Sequence, residues 1–81
     1  MLLVTGGAGF IGANFVLSTL RESHEGIVNV DKLTYAGNRA NLEAIAGEAR
    51  HELVQADICD RERIRDLLAV HRPRAIVHFA A

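Results

Sequence analysis

Four glycines and one carboxylate are the residues best placed to do chemistry in this sequence. Gly6, Gly7, Gly9 and Gly12 lie in Thr5-Gly6-Gly7-Ala8-Gly9-Phe10-Ile11-Gly12, which satisfies both Gly6-x-x-Gly9-x-x-Gly12 and Gly7-x-Gly9-x-x-Gly12. An early glycine lets the chain turn through dihedrals that side chains resist. Gly9 leaves no side chain between a helix N-terminus and a pyrophosphate, and Gly12 allows close helix–strand packing. The unpaired N–H groups of that first helical turn would face the anion. Asp31 follows Gly12 by 19 positions, the spacing at which a carboxylate reaches an adenosine ribose. A Walker-type phosphate loop is excluded, because no Gly-Lys-Ser/Thr follows the turn.

Asp31 also favours one cofactor. A carboxylate accepts from both ribose hydroxyls and repels a 2′-phosphate, so NAD is expected over NADP. Lys32, next in sequence, is read as a solvated loop residue. Asp57 is expected at the same edge of the fold, with Asp57-Ile58 flanking the adenine; alternatively Asp57 only closes a turn toward Asp60. Phe79-Ala80-Ala81 would end a strand beside the cofactor, although Phe79 also reads as ordinary core. The four histidines, His24, His51, His71 and His78, lack metal-ligand spacing, and no metal is expected. Cys59 has no evident base partner and reads as a buried or half-buried inert thiol.

The elements that position these residues alternate strictly. Leu2-Leu3-Val4-Thr5 is a short apolar strand running into the glycines. A helix from about Gly9 to Glu22 should place Ile11, Phe15, Val16 and Leu20 on one apolar face. Ile27–Asp31 is a second strand. Lys32 to Asn38 is a loop, and Asn38 could cap a short helix holding Leu42 and Ile45. A third strand is expected over Glu52–Asp57. Asp60 then caps a helix with Ile64, Leu67, Leu68 and His71 on one face, which Pro73 stops. A fourth strand is expected over Ala75–Ala80. Such alternation specifies an α/β fold with parallel strands joined by right-handed crossovers; the expected form is a partial Rossmann, a doubly wound sheet in strand order 3-2-1-4 with helices on both faces.

Composition sets outer limits. The 81 residues are 49% apolar and 23% charged, the balance of a globular chain rather than a disordered one. Nine basic against ten acidic residues leave a net charge of -1, so a charge-driven nucleic-acid or membrane-surface role is not expected. No apolar run is long enough to span a bilayer. The opening residues enter the glycine turn without a charged leader, and the single cysteine allows no internal disulfide, so the expected location is cytoplasmic.

The glycine turn resembles that of extended short-chain dehydrogenase/reductases acting on nucleotide sugars. Asp31-Lys32-Leu33-Thr34-Tyr35-Ala36-Gly37-Asn38, followed by Asn41-Leu42, resembles more narrowly the loop of the dTDP-glucose 4,6-dehydratases. Asp57-Ile58-Cys59-Asp60 and His78-Phe79-Ala80-Ala81 fit the same family. The resemblance implies that Phe10 and Ile11 line the pyrophosphate turn and that Asp31, Lys32, Leu33 and Thr34 contact the ribose. It implies that Asp57 and Ile58 contact adenine and that Phe79, Ala80 and Ala81 pass along the cofactor. Ala13 departs from the family's frequent serine while keeping a small side chain.

The same resemblance implies a lyase. NAD takes hydride from C4 of the glucose ring, water leaves C5 and C6, and the hydride returns to C6. The implied substrate is dTDP-glucose and the implied assembly a homodimer. The family's Tyr-x-x-x-Lys pair and Thr-Asp-Glu group have no match here: Tyr35 is the only tyrosine, and Arg39 stands where the lysine would fall. The expectation is therefore an N-terminal half of an NAD-binding domain, residues 1–81, with no catalytic residue of its own. The alternatives are the same portion of another NAD-dependent nucleotide-sugar epimerase or decarboxylase, or a non-catalytic dinucleotide-binding module.

Overall fold

The computed structural model describes residues 1–34 and 39–80. Tyr35 to Asn38 and Ala81 lie outside the described residues, and with them Asn38 as a cap and Ala81 as a cofactor contact. The chain runs β1 (Leu2–Thr5), α1 (Phe10–Glu22), β2 (Ile27–Asp31), a 3₁₀ helix (Arg39–Ile45), β3 (His51–Gln55), α2 (Arg61–His71) and β4 (Ala75–His78). The strands are all parallel and lie in the order β3-β2-β1-β4, the order expected of a doubly wound half-sheet.

Period-two alternation splits the sheet into two apolar faces. Leu2, Val4 and Ile27 pack with Val16 and Leu20 of α1. Leu3, Val28, Val30 and Val54 pack with Leu67 of α2, flanked by Ile64 and Leu68. Helices therefore cover both faces. Each fully buried valine or leucine here contributes roughly 1.5–3 kcal/mol. The central strands β1 and β2 are buried throughout, the burial of a parallel sheet between helical layers.

Four expectations need correction. Ile11 does not join the apolar face of α1; it is 71% exposed, and the buried positions are Gly12, Ala13, Val16 and Leu20. The close contact of Gly12 with the turn rotates the helix so that Phe10 and Ile11 point outward. The third strand ends at Gln55 rather than Asp57. Beyond it the Cys59 N–H donates to Asp57 Oδ1 at 2.9 Å and the Asp60 N–H to the Asp57 carbonyl at 2.9 Å, which folds the chain into a turn. The fourth strand stops at His78, two residues short of Ala80. The short helix before β3 is 3₁₀ in form, with Leu42 buried against Ala8 and Ala13.

Local caps hold these elements in place. Asp60 caps α2 by accepting the Arg63 N–H at 3.2 Å. At the other end Arg72 adopts a left-handed φ of 47°, ahead of Pro73. The Arg50 guanidinium donates to the Leu20 and Ser23 carbonyls, both at 2.7 Å, and so closes the C-terminus of α1 with positive charge. No described helix is long and apolar enough to cross a membrane.

Candidate functional site

The carboxyl ends of the strands surround a cavity of about 480 Å³. That is within the size range of small-ligand sites. Gly6 and Gly9 line it from the turn after β1, and Val30, Asp31, Lys32 and Thr34 from the end of β2. Ala56, Asp57, Ile58 and Cys59 line it from beyond β3, and Phe79 and Ala80 from beyond β4. Nine of the expected site residues thus meet at one cavity. Gly7, Phe10, Ile11, Gly12 and Leu33 are not in its wall.

Each glycine of the turn has a distinct environment. Gly6 has a φ of +71°, and a Cβ there would sit 2.6 Å from the Ala80 nitrogen. It is therefore required both by conformation and by the chain leaving β4. A Cβ on Gly12 would lie 2.2 Å from the Gly6 carbonyl oxygen, so the close approach that Gly12 permits is to the turn itself. Gly7 abuts the buried Asn29 side chain. Gly9 is different: a Cβ would meet only the Gly6 oxygen, at 3.5 Å. The protein leaves that space open on the cavity side.

Gly9 is also the N-cap of α1 and supplies no side-chain acceptor, and the first turn carries no acid. The N–H groups of Phe10, Ile11 and Gly12 precede the first intrahelical bond, from Ala13 to the Gly9 carbonyl at 2.8 Å. These donors and the positive end of the helix dipole suit an anion.

Asp31, only 9% exposed, is held at both oxygens. Oδ2 accepts the Ala8 N–H at 2.9 Å and Oδ1 accepts the Leu33 N–H at 2.8 Å. The carboxylate thus ties the glycine turn to the loop after β2. A carboxylate has about four lone-pair positions, so two remain for a ligand. The Asn41 side chain completes the tie by donating to the Ala8 carbonyl at 2.8 Å.

At the cavity mouth Lys32 Nζ lies 3.3 Å from Asp57 Oδ2. Lys32 is 65% exposed, as expected of a solvated loop lysine, and is ion-paired as well. The Cys59 N–H, and after it the Lys32 ammonium, hold the Asp57 carboxyl below the usual carboxylate range. The Asp57 side chain closes the turn and also lines the cavity. Phe79 is 37% exposed and tilts against Phe15, with ring centroids 5.4 Å apart. His78 Nδ1 lies 2.6 Å from Thr5 Oγ1, a structural bond between β4 and β1.

Val30, Ala56 and Cys59 also line the cavity, and Cys59 is exposed there rather than buried or half-buried as expected, because the turn at Asp57 carries it out past the end of β3. Their only signal was position, at or just past the carboxyl ends of strands. Among the described residues no group of three or more His, Cys, Asp or Glu could hold a metal.

A family profile described as GDP-mannose 4,6 dehydratase matches residues 3–81. The chain belongs to that family. Within the GDP-mannose 4,6-dehydratase family, its relatives carry the name the loop resemblance pointed to. It is 49% identical over 80 residues to a dTDP-glucose 4,6-dehydratase of Neisseria meningitidis serogroup B, covering 99% of this chain and 22% of that one. The crystal structure of the Bacillus anthracis dTDP-glucose 4,6-dehydratase in complex with NAD superposes with a TM-score of 0.92 at 40% identity, covering 99% of this chain and 26% of that one. A UDP-glucose-4-epimerase of Stenotrophomonas maltophila with bound NAD gives a TM-score of 0.82, also at 40% identity, over 99% of this chain and 24% of that one. The chain thus spans about a quarter of the length of these relatives.

Proposed function

We propose that these residues hold the adenosine and pyrophosphate of NAD in a dTDP-glucose 4,6-dehydratase. The observation that carries this reading is the convergence of two features on one cavity. One is the uncapped start of α1 with open space at Gly9; the other is Asp31, buried with acceptor capacity to spare. The pyrophosphate lies against the N–H groups of Phe10, Ile11 and Gly12. The ribose hydroxyls donate to Asp31, with Lys32, Leu33 and Thr34 beside them. Adenine lies between Asp57 and Ile58, while Phe79 and Ala80 flank the path toward the nicotinamide.

When bound, NAD supplies a reversible hydride acceptor. These residues bind and orient it; the proton transfers need positioned acids and bases. The 81 residues contain no Tyr-x-x-x-Lys pair, so that part of the reaction falls to residues outside them. A lyase acting on dTDP-glucose belongs to the same proposal, supported by the names of the relatives and the loop resemblance; the homodimer and the cytoplasmic location rest on that resemblance and the cysteine content alone.

The test is a titration of the natural gene product with NAD and NADP, combined with conversion of dTDP-glucose to the 4-keto-6-deoxy product. Asp31→Ala should weaken NAD binding and relax discrimination against NADP. It should also lower the melting temperature, because the buried Ala8 N–H loses its acceptor. A protein that binds neither nucleotide refutes the reading. The shared half-sheet also fits a nucleotide-sugar epimerase, given the 40% identity to one. Turnover of a UDP-sugar with inversion at C4, and none of dTDP-glucose, would decide for that activity.

A further inference from the structure

The ion pair at the cavity mouth joins the first residue after Asp31 to the first cavity-lining carboxylate beyond β3. Its two members are not equally fixed. Asp57 is positioned by its own loop, through the Cys59 N–H at 2.9 Å and the bond from the Asp60 N–H to its carbonyl at 2.9 Å. Lys32 is 65% exposed on a flexible four-carbon stem. The anion therefore sets where the cation goes.

We propose that Asp57 determines cofactor specificity by sequestering Lys32, so that the ribose end of the cavity presents net negative charge and rejects a 2′-phosphate. This rests on the dinucleotide reading above. Asp31 and Asp57 carry two negative charges and Lys32 one positive charge, which leaves a surplus of one negative charge where the 2′ position would lie. Arg39 does not line the cavity; its guanidinium contacts the neutral Gln55 side chain on the exposed surface at 3.4 Å. Its charge is the same whatever stands at position 57. Without the Asp57 charge the surplus vanishes, and the Lys32 ammonium is free to swing to a phosphate. An exposed pair adds little to stability. Its effect should therefore appear in the choice of ligand rather than in folding.

The experiment measures dissociation constants for NAD and NADP with the natural gene product and with Asp57→Asn, Lys32→Met and the double variant, at low and high salt. Asparagine keeps an acceptor for the Cys59 N–H; Asp57→Ser serves as a second turn-forming variant should Asp57→Asn fold poorly. Asp57→Asn should lower the ratio of the NADP to the NAD constant about fivefold at low salt, and less at high salt. Lys32→Met alone should raise the ratio at low salt, since it leaves both carboxylates uncompensated. The double variant should return toward the wild-type ratio. An unchanged ratio in Asp57→Asn overturns the proposal, as does a double variant that keeps the Asp57→Asn ratio, because simple loss of repulsion would then explain the change. A wild-type protein that binds neither nucleotide removes the dinucleotide reading along with it.

Discussion

Replacing Gly9 with alanine separates binding from folding more cleanly than any other change in the turn. The backbone at Gly9, φ −70° and ψ 171°, is one that alanine adopts freely. Its new Cβ would meet protein only at the Gly6 oxygen, 3.5 Å away, an ordinary contact. Two small effects on stability oppose each other. Alanine is a poorer N-cap than glycine, by a fraction of about 1 kcal/mol. It also restricts the unfolded chain, which stabilises by about 0.4–1 kcal/mol. The net change should stay within about 1 kcal/mol, a shift of a few degrees in melting temperature at most.

Binding should respond differently. The methyl group would occupy the space in front of the first-turn N–H groups and push a pyrophosphate away from at least one. A hydrogen bond to a charged group is worth about 1.5–3 kcal/mol. Its loss weakens NAD binding by roughly 10- to 150-fold. Isothermal titration with NAD and a thermal melt on the same preparation test both halves. Gly12→Ala is the contrast: its Cβ would fall 2.2 Å from the Gly6 oxygen, so it should lose stability and binding together. A Gly9→Ala protein with wild-type melting and undiminished NAD affinity would refute the assignment of the cradle.

Three further outcomes are expected. Asp60→Ala removes the side-chain acceptor at the start of α2 and should cost about 1 kcal/mol in chemical denaturation, with little effect on NAD affinity. Burial holds the His51 pKa below its ordinary value of 6.5, so the unfolded chain binds that proton more tightly. The resulting stability is fully present above about pH 6.5 and falls as the pH drops from there through the lower folded-state pKa; His51→Gln should flatten this part of a denaturation-versus-pH curve. The isolated 81-residue chain leaves Ile76 of β4 at 56% exposure and Val70 of α2 at 75%. With β4 also an unpaired edge strand, it should show shallow, non-cooperative urea unfolding; a sharp monomeric transition would count against this.

Much of this molecule was legible because its signals are local. Leu2–Thr5 and Ile27–Asp31 are apolar runs buried by helices on both sides, and their bounds follow from the glycines and the acid that end them. The Asp60 cap and the Pro73 stop are local backbone chemistry. That the strands run parallel follows from the strict alternation of strand and helix; their order is that of a doubly wound half-sheet. The errors fall where a local pattern competes with a distant contact. Helical periodicity put Ile11 on the apolar face, but the approach of Gly12 to the Gly6 carbonyl sets the rotation of α1 and leaves Ile11 outside. Asp57 followed an extended run and was read as part of the strand, yet its side chain found the Cys59 N–H two residues on and turned the chain.

By itself the sequence determined that strands and helices alternate, that a glycine turn opens the first helix, and that an acid ends the second strand. Those depend on neighbours a few positions apart. Tertiary structure alone decided that the acid ties the glycine turn to the next loop across 23 positions, and that Asn41 reaches back 33 positions to the same turn. It also decided that the exposed Lys32 ammonium comes within 3.3 Å of Asp57. Hydrogen bonds and ion pairs act over a few ångströms whatever their separation along the chain. Which groups come within that reach is set by how the sheet and its two helical layers pack.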